Sequence, residues 1–510
     1  MRFGSGLKGT ELFLDSSAGQ SARPLTEMSG VRFPLQELST LTRRENIMEA
    51  LHRLPAREAL LSLCRSVERA RGRALLVGGC VRDLLLENEP NDLDVEVFGL
   101  SPDRLVDTLS HGFALDLVGK DFGVLKLKDF PVDVSIPRRE SKRGLGHRGF
   151  EINSDPTMTV AEAAARRDFT INSLSWDPLT DDLFDPFDGQ THLRARLLHP
   201  VSRMPGHPNP DAFLEDPLRV LRAAQFLARF DFEPSDDLVE VCRRGDIEDL
   251  PKERLFDEWQ KLLLRGVRPS LGLDFLREVG WLRFFPEVEA LVDCPQNPAW
   301  HPEGDVFEHT KHCLDAFAHT RTGDSREDLV VGLAVLCHDF GKPETTAFLD
   351  GRWKSKGHEA AGAAPTRSFL ARLTNEHGLD TEVCDLVVEH LKPLELFEVK
   401  ASSSAIRRLA RRVKRVDRLL RVAACDQAGR PPLKPDNRFA TWLLERIEEL
   451  GVRDQAPKPI VMGRHLMDLG WNPGKHFRPV LDACFEAQLD GKFEDEEGGR
   501  MFLREFLASQ

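Results

Sequence analysis

The spacing of apolar and polar positions changes character once along the 510 residues. From Ile47 to Ala70 apolar residues recur at helical spacing, and ALLVGGCVRDLLL (74–86) reads as strand, glycine turn and helix. Strict alternation follows in NDLDVEVF (91–98). Successive strand side chains point to opposite faces, so Leu93, Val95 and Val97 face a core while Asp92, Asp94 and Glu96 share the other side. A helix near 102–110 and two strand-like runs, FGVLKLKDF and PVDVSI, complete a small α/β unit ending at Ile136. After Arg166 the pattern is helical to the C-terminus, with short irregular breaks at 177–190 and 199–212. Pro-rich stretches at 293–304 and 430–436 predict internal boundaries. Residues 1–45 carry Gly, Ser, Thr and Pro without periodicity, which predicts a poorly ordered tail.

Length and composition narrow this picture. A chain of 510 residues exceeds what one core usually serves, so two to four domains are expected. The formal net charge of -13 excludes a protein coated in nucleic acid over its whole surface, though not local basic patches. Nine cysteines without a CxxC pair read as reduced thiols, not a disulfide framework. LVVGLAVL (329–336) is too short to span a bilayer and no signal-peptide pattern opens the chain, so a soluble cytoplasmic protein without membrane association is expected. Tyrosine is absent beside 31 Phe and 7 Trp, so base stacking would fall to Phe, Trp, His or Arg.

The alternating acids are the first candidate chemistry. Two carboxylates on one strand face, about 6–7 Å apart at Cα, can jointly hold a pair of Mg²⁺ ions that stabilise attacking and leaving oxygens in phosphoryl transfer. Alternation alone equally describes a solvated strand face. Upstream, Gly78 and Gly79 open a helix where backbone N–H groups can approach phosphate, and Arg82 adds a cation. GGCVRD followed by DLD, then RRDFTIN (166–172), EDPLRVLR (215–222) and PKERLFDEW (251–259), resembles the nucleotidyltransferases of the tRNA CCA-adding and bacterial poly(A) polymerase group. The resemblance covers roughly 46–290. It implies Asp92 and Asp94 as the Mg²⁺-binding pair and Asp133 as a third carboxylate, a position that an exposed strand residue would also explain. It further implies Gly78, Gly79, Arg82, Arg167, Asp168, Asn172 and Arg222 as nucleotide-binding residues, with CTP, ATP and the tRNA 3′ end as partners. The basic loop PRRESKRGLGHRGFEINSDP is either a mobile solvated loop or the family's flexible loop that accompanies the switch from C to A.

Base choice has a physical candidate. In EDPLR, Asp216 and Arg219 lie at i, i+3 on one helix face, with Pro217 suited to the first turn. Cytosine and adenine both present an exocyclic amine beside an unprotonated ring nitrogen. Asp216 would accept from the amine and Arg219 would donate to the nitrogen, a pattern that G and U reverse. A plain helix cap with a surface ion pair is the alternative. Where the family usually continues with RF, this chain has Gln225-Phe226, which removes one expected Arg contact.

The second constellation consists of imidazoles and carboxylates. His309 in HPEGDVFEHT (beside His301), His338-Asp339 in LAVLCHDFGK, His358, His390 and Asp426 recur on successive helices. Such a set suits a divalent transition metal, Mn²⁺ or Mg²⁺ and not a redox cluster. The pattern resembles the HD phosphohydrolase domain, with His309, His338, Asp339 and Asp426 as its H…HD…D residues and His358 and His390 as the extra histidines of two-metal members. A metal there implies a water-derived nucleophile for phosphate esters such as 2′,3′-cyclic phosphates. A nucleotidyltransferase followed by an HD domain resembles the multifunctional CCA proteins.

The fold expected is therefore α+β: a small head (46–200) with a mixed sheet, a mainly helical neck (201–292), an HD domain (293–430) and a helical tail (431–510) like that of many bacterial relatives. SAIRRLARRVKRVDRLLR (404–421) reads as one helix with Arg407, Arg411, Lys414, Arg418 and Arg421 opposite its apolar stripe. That stripe is either an RNA phosphate track or a solvated face. Poly(A) polymerase, a CC-only or A-only enzyme, and a phosphohydrolase or RNA-binding protein with a silent transferase site remain the alternatives.

Overall fold

The structure, a computed structural model, describes residues 44–116, 124–142, 150–201, 212–247 and 250–509. The expected tail at 1–45 falls almost wholly outside them. The chain divides into two compact units, one holding the residues through Leu262 with Leu271–Trp281, the other Leu263–Ser270 and everything from Leu282 onward. Among the described residues no helix is long and apolar enough to cross a membrane.

In the first unit, helices Arg44–Arg53 and Arg57–Arg69 precede strand β1 (Arg73–Val77), helix Gly79–Leu85 and strand β2 (Leu93–Phe98). After helix Pro102–Ser110 come β3 (Leu115–Asp116), β4 (Val124–Leu127) and β5 (Val132–Ser135). The alternation in NDLDVEVF is realised as expected. Leu93, Val95 and Val97 are buried, whereas Asp94 is exposed and Glu96 half-buried. Strands β6 (Arg138–Lys142) and β7 (Phe150–Ser154) pair antiparallel, so both ends of the predicted basic loop are a two-stranded ribbon. Residues 143–149 lie outside the described residues.

The sheet is larger than the sequence pattern indicated. β8 (Ser175–Trp176) and β9 (Leu183–Phe184) return to it from the stretch expected to be mostly helical. The seven strands run β3-β4-β5-β2-β1-β8-β9, with β2 and β5 parallel and the other neighbours antiparallel. This is the mixed sheet expected. Helix Leu218–Phe230 then buries Leu218, Val220, Leu221, Phe226 and Leu227, and Gln225 is itself buried in that helix.

The second unit is mainly helical. The Pro-rich segment 293–304 folds back on itself within this unit: Val306 N donates to Cys294 O (3.0 Å), and Gln296 Nε2 donates to Asp305 O (3.0 Å). A hairpin of Thr346–Leu349 and Arg352–Ser355 interrupts the helices. At the C-terminal end, Val461, Leu466, Cys484, Ala487, Phe493 and Leu503 build a small separate core.

The single helix expected over 404–421 is two, Ser403–Val413 and Val416–Ala428. Lys414 takes a left-handed backbone (φ 60), which ends the first helix and resets the phase of the second. The arginine stripe is thereby broken up. Arg418 is 7% exposed and bonds Glu327 (2.6 Å) and Glu382 (2.5 Å). Arg421 bonds Asp328 (2.5 Å), while Arg407 and Arg411 reach Glu494 (2.9 Å) and Glu486 (2.6 Å). Arg418 and Arg421 are thus internal ties of this unit, which corrects their reading as a surface phosphate track.

Candidate active sites

The first site starts from a glycine turn. Gly78 has φ 78, a conformation that side chains with a Cβ rarely adopt, and it turns β1 into the helix that carries Arg82. On the neighbouring strand, Asp94 lies in register with Asp133 of β5 across the parallel pair. Asp92 sits one residue before β2 and is exposed. Desolvation by the surrounding strands, followed by the charge of Asp133, raises the Asp94 carboxyl above its ordinary range although part of the side chain reaches solvent, and Asp92 adds to this. Lys126 of β4 stands 2.7 Å from Asp133. The negative charges of Asp133 and Asp92 oppose ionisation of Asp94, a repulsion that a divalent metal held there would relieve.

Glu96, the third acid of the alternation, has a specific partner. Arg167 Nη2 donates to Glu96 Oε2 (3.2 Å) while Nη1 donates to the carbonyls of Asn172 (2.9 Å) and Leu174 (3.4 Å). Behind this pair runs a buried polar relay. Arg82 Nη1 donates to Asn172 Oδ1 (2.5 Å), Asn172 Nδ2 to Asp168 Oδ1 (2.8 Å), and Arg222 Nε and Nη2 to Asp168 Oδ2 (2.8 and 2.6 Å). Burial opposes the charge on Asp168, but Arg222 and Asn172 outweigh it and lower its pKa. Arg82, 3% exposed, also pairs with Asp83 and lies against Phe226 and Phe230. Arg82, Asp168 and Asn172 therefore form the framework joining GGCVRD to RRDFTIN, not an open cationic surface. This corrects the expectation of direct contacts, because a guanidinium committed to buried partners is costly to release.

Asp216 precedes the N-cap, which is Pro217 and not the first helical position expected for it, and its Oδ1 accepts from Leu218 N (3.2 Å). Its ion-pair partner is Arg254 of PKERLFDEW (2.7 Å). Arg219 donates to the Arg166 carbonyl (2.8 Å) and lies near the Phe213 ring. All four motifs meet in one unit. What sequence reading missed depends on tertiary pairing: Arg254 and Glu96 meet partners 38 and 71 residues away, and Lys126 meets Asp133 across the pairing of β4 with β5.

In the second unit all six predicted residues come together. His338, His358 and His390 each donate Nδ1–H to the carbonyl three residues earlier (Val335, Ser355, Val387; 2.7, 2.8 and 2.7 Å). Each Nε2 lone pair is thereby left free, the arrangement in which histidine binds metals. Asp339 Oδ2 lies 3.2 Å from His338 Nε2 and 3.8 Å from His309 Nε2, and Oδ1 lies 3.3 Å from His358 Nε2. His338 Nε2, His358 Nε2 and both Asp339 oxygens are buried with no hydrogen-bond partner, although Lys342 Nζ stands 2.7 Å from Oδ2 as an ion pair. Orphaned buried atoms converging on one point fit a divalent metal.

His309 completes the centre. Its Nδ1 faces Glu303 Oε1 (2.8 Å) and the Gly429 carbonyl (3.1 Å), and its Nε2 faces Asp426 Oδ1 (3.0 Å). Burial disfavours the cation, but Cys313, Asp426 and Glu303 outweigh it and raise His309 well above its ordinary pKa. Burial, then His338, pushes His390 down to about 3, so it stays neutral. Asp339 and Asp426 are held well below the usual range against burial, the first by His338 and Lys342, the second by Arg430 and His309. Three ligand groups result among the described residues: His309, Cys313, His338 and Asp426 on one side, Asp339, His358 and His390 on the other, and His301 and Glu303 behind His309. Asp339, His358, His390 and Asp426 line a cavity of about 490 Å³ whose walls include Lys342, Arg352, Lys354 and Arg430, with Trp300 and Trp353. Glu303, Lys342, Arg430 and Cys313 were not singled out from sequence; the GK after HD and the four-residue step from His309 to Cys313 were the available signals.

A glycine turn feeding a helix, set beside paired carboxylates on adjacent strands of a mixed sheet, defines a nucleotidyltransferase. Residues 74–199 match the family described as Poly A polymerase head domain, and 242–291 match the probable RNA and SrmB-binding site of polymerase A. The chain is 35% identical over 381 residues to the multifunctional CCA protein of Laribacter hongkongensis, covering 71% of this chain and 87% of that protein. It is 34% identical to that of Pasteurella multocida, covering 74% and 90%. In fold it is similar to the Thermotoga maritima CCA-adding enzyme complexed with tRNA (TM-score 0.55, 18% identity, 91% and 98% covered). It is likewise similar to a CCA-adding enzyme with ATP (TM-score 0.59, 20% identity, 91% and 97% covered). The chain belongs to the family of multifunctional CCA proteins.

Proposed function

We propose that this enzyme adds CCA, or its terminal A, to tRNA 3′ ends from CTP and ATP without a nucleic-acid template, in the cytoplasm. The observation that carries this reading is the register of Asp94 with Asp133 beside the Gly78 turn. In this reading Asp92, Asp94 and Asp133 hold Mg²⁺, which would stabilise charge on the transferring phosphoryl group. The chain's own residues then do the positioning. Gly78, Gly79 and Arg167 border the nucleotide, Arg82, Asp168, Asn172 and Arg222 hold that border rigid, and Asp216 with Arg219 reads the base. The head is 46–200, the neck 201–292, the hydrolase domain 293–430 and the tail 431–510. Arg407 and Arg411, once released from their exposed partners Glu494 and Glu486, and Lys414 are the part of the basic stripe that would serve an RNA backbone.

The test offers the purified protein tRNAs ending before the CCA, after C and after CC, with each NTP separately. CCA addition extends the first by two C and the second by one C with CTP, and the third by one A with ATP; a run of A on every end would identify poly(A) addition instead. Asp216→Ala is expected to relax the choice of C over U by about 10²-fold, because a site built to hydrogen-bond one base edge rejects an edge that presents the reversed pattern. Sizing of U-containing products checks it. Glu96→Gln is expected to raise the KM for nucleotide roughly 10-fold with kcat less affected, by freeing Arg167 from its partner. Steady-state kinetics separate the two.

In the second unit, the free imidazole lone pairs and orphaned Asp339 oxygens support a divalent-metal phosphohydrolase acting on phosphate esters. A metal there would supply a water-derived nucleophile. Lys342 and Arg430 beside the centre suit a phosphate, and Trp300 and Trp353 on the cavity wall suit a base-bearing ester.

A further inference from the structure

The centre of the second unit holds a thiol that the histidine and aspartate pattern does not include. Cys313 lies one turn after His309 on helix Val306–His319, so both side chains share a face. Its Sγ is 3.4 Å from His309 Nε2, and both residues are fully buried. Sγ, His309, His338 and Asp426 present ligand atoms all within 4.8 Å of one another. His338 Nε2, in this group, is one of the buried atoms with no hydrogen-bond partner.

The spacing is that of a coordination polyhedron. With metal–nitrogen distances of about 2.0–2.1 Å and metal–sulfur of about 2.3 Å, a tetrahedral N···S edge is roughly 3.5 Å and an N···O edge roughly 3.3 Å. The observed edges from His309 Nε2 are 3.4 Å to Cys313 Sγ and 3.0 Å to Asp426 Oδ1. The backbone is shaped to admit the sulfur. A Cβ added at Gly429 would stand 2.2 Å from Cys313 Sγ and 3.2 Å from His309 Cε1, so only glycine lets the end of the Asp426 helix close over the pair.

We propose that Cys313 is a thiolate ligand of this centre, making one of its two subsites selective for a thiophilic divalent ion such as Zn²⁺, Co²⁺ or Ni²⁺ over Mg²⁺. The proposal rests on the reading of this unit as a metal centre. Asp339, His358 and His390, without sulfur, form the harder second subsite.

The full-length protein is loaded with Co²⁺ and its absorption recorded. A near-ultraviolet thiolate-to-Co²⁺ charge-transfer band is expected, lost in Cys313→Ala while the visible bands of the bound ion remain. Because that variant could fail to fold, X-ray absorption of the Zn²⁺-loaded unsubstituted protein is the second measurement. One sulfur at about 2.3 Å supports the proposal. Bound zinc with only nitrogen and oxygen neighbours, or a band that persists in Cys313→Ala, overturns it and leaves the hydrolase reading standing. Metal content that is unchanged by His338→Ala overturns both.

Discussion

Replacing Asp94 with Asn is expected to cut nucleotide incorporation by at least about 10³-fold, the loss that goes with removing several kcal/mol of metal-borne charge stabilisation. Hydrolysis of phosphate esters by the second unit should be unchanged. The amide keeps the volume and shape of the side chain, so β2 still buries Leu93, Val95 and Val97 and still pairs with β5. Stability should move the opposite way to activity. Desolvation and the charge of Asp133 raise the Asp94 carboxyl, so the folded protein holds its proton more tightly than the unfolded chain does. An acid raised in this way costs stability above its folded pKa, and the cost disappears as pH falls below the unfolded value. Asp94→Asn should therefore leave the metal-free protein at least as heat-stable at pH 7, and stabilised relative to the parent less and less as pH is lowered. A melting temperature that drops with activity would mean Asp94 holds the sheet together, and the catalytic assignment would fail.

The head was legible because its information is local. A strand face repeats every two residues, a glycine turn announces itself, and both survive in the structure as β2 and Gly78. The return of β8 and β9 to the sheet was not legible. Strands of two residues, Ser175–Trp176 and Leu183–Phe184, have no period to detect. The break at Lys414 was hidden for a different reason: RRLARRVKRVDRLLR contains neither Gly nor Pro, and its Arg, Lys, Leu and Ala residues favour helix on both sides of the break. The fate of its arginines was also out of reach, since Arg418 meets Glu327, 91 residues away. Charge composition gave a hint only in aggregate, because an acidic chain supplies partners for most of its cations.

The same distinction separates the two sites. In the second unit, side-chain identities named all six convergent residues, because imidazoles and carboxylates recurring on successive helices are rare without a shared purpose. The environment that tunes them was not in the motif. Glu303 binds both His301 Nδ1 and His309 Nδ1 through one oxygen (2.8 Å each), and its carboxyl is held down to about 2 despite burial by those two partners. Glu303 thereby fixes which nitrogen of His309 faces the centre, a role visible only once the loop before the helix is folded back on it.

Asp339→Asn carries the second large expectation, a loss of phosphate-ester hydrolysis of at least about 10³-fold with nucleotide incorporation retained. Asp339 is the one residue whose two oxygens face two of the ligand groups, Oδ2 toward His338 and His309 and Oδ1 toward His358. An amide in its place offers N–H donors to lone pairs that have no partner now, so the fold should tolerate the change while the centre loses its shared anion. Metal content should fall along with activity, because a neutral amide oxygen is a weaker ligand and leaves the charge of the ion uncompensated. The pH behaviour follows from the same group. Its carboxyl is held well below the usual range, burial opposing and His338 and Lys342 prevailing, so its stabilising contribution is present above the ordinary carboxylate pKa and is lost as pH falls through the folded value. In Asp339→Asn that part of the acid-induced loss should vanish in a thermal-melt series from neutral to acid pH. Metal content that stays at the parent level while hydrolysis is lost would take Asp339 out of the ligand set and leave it as a proton acceptor for the attacking water.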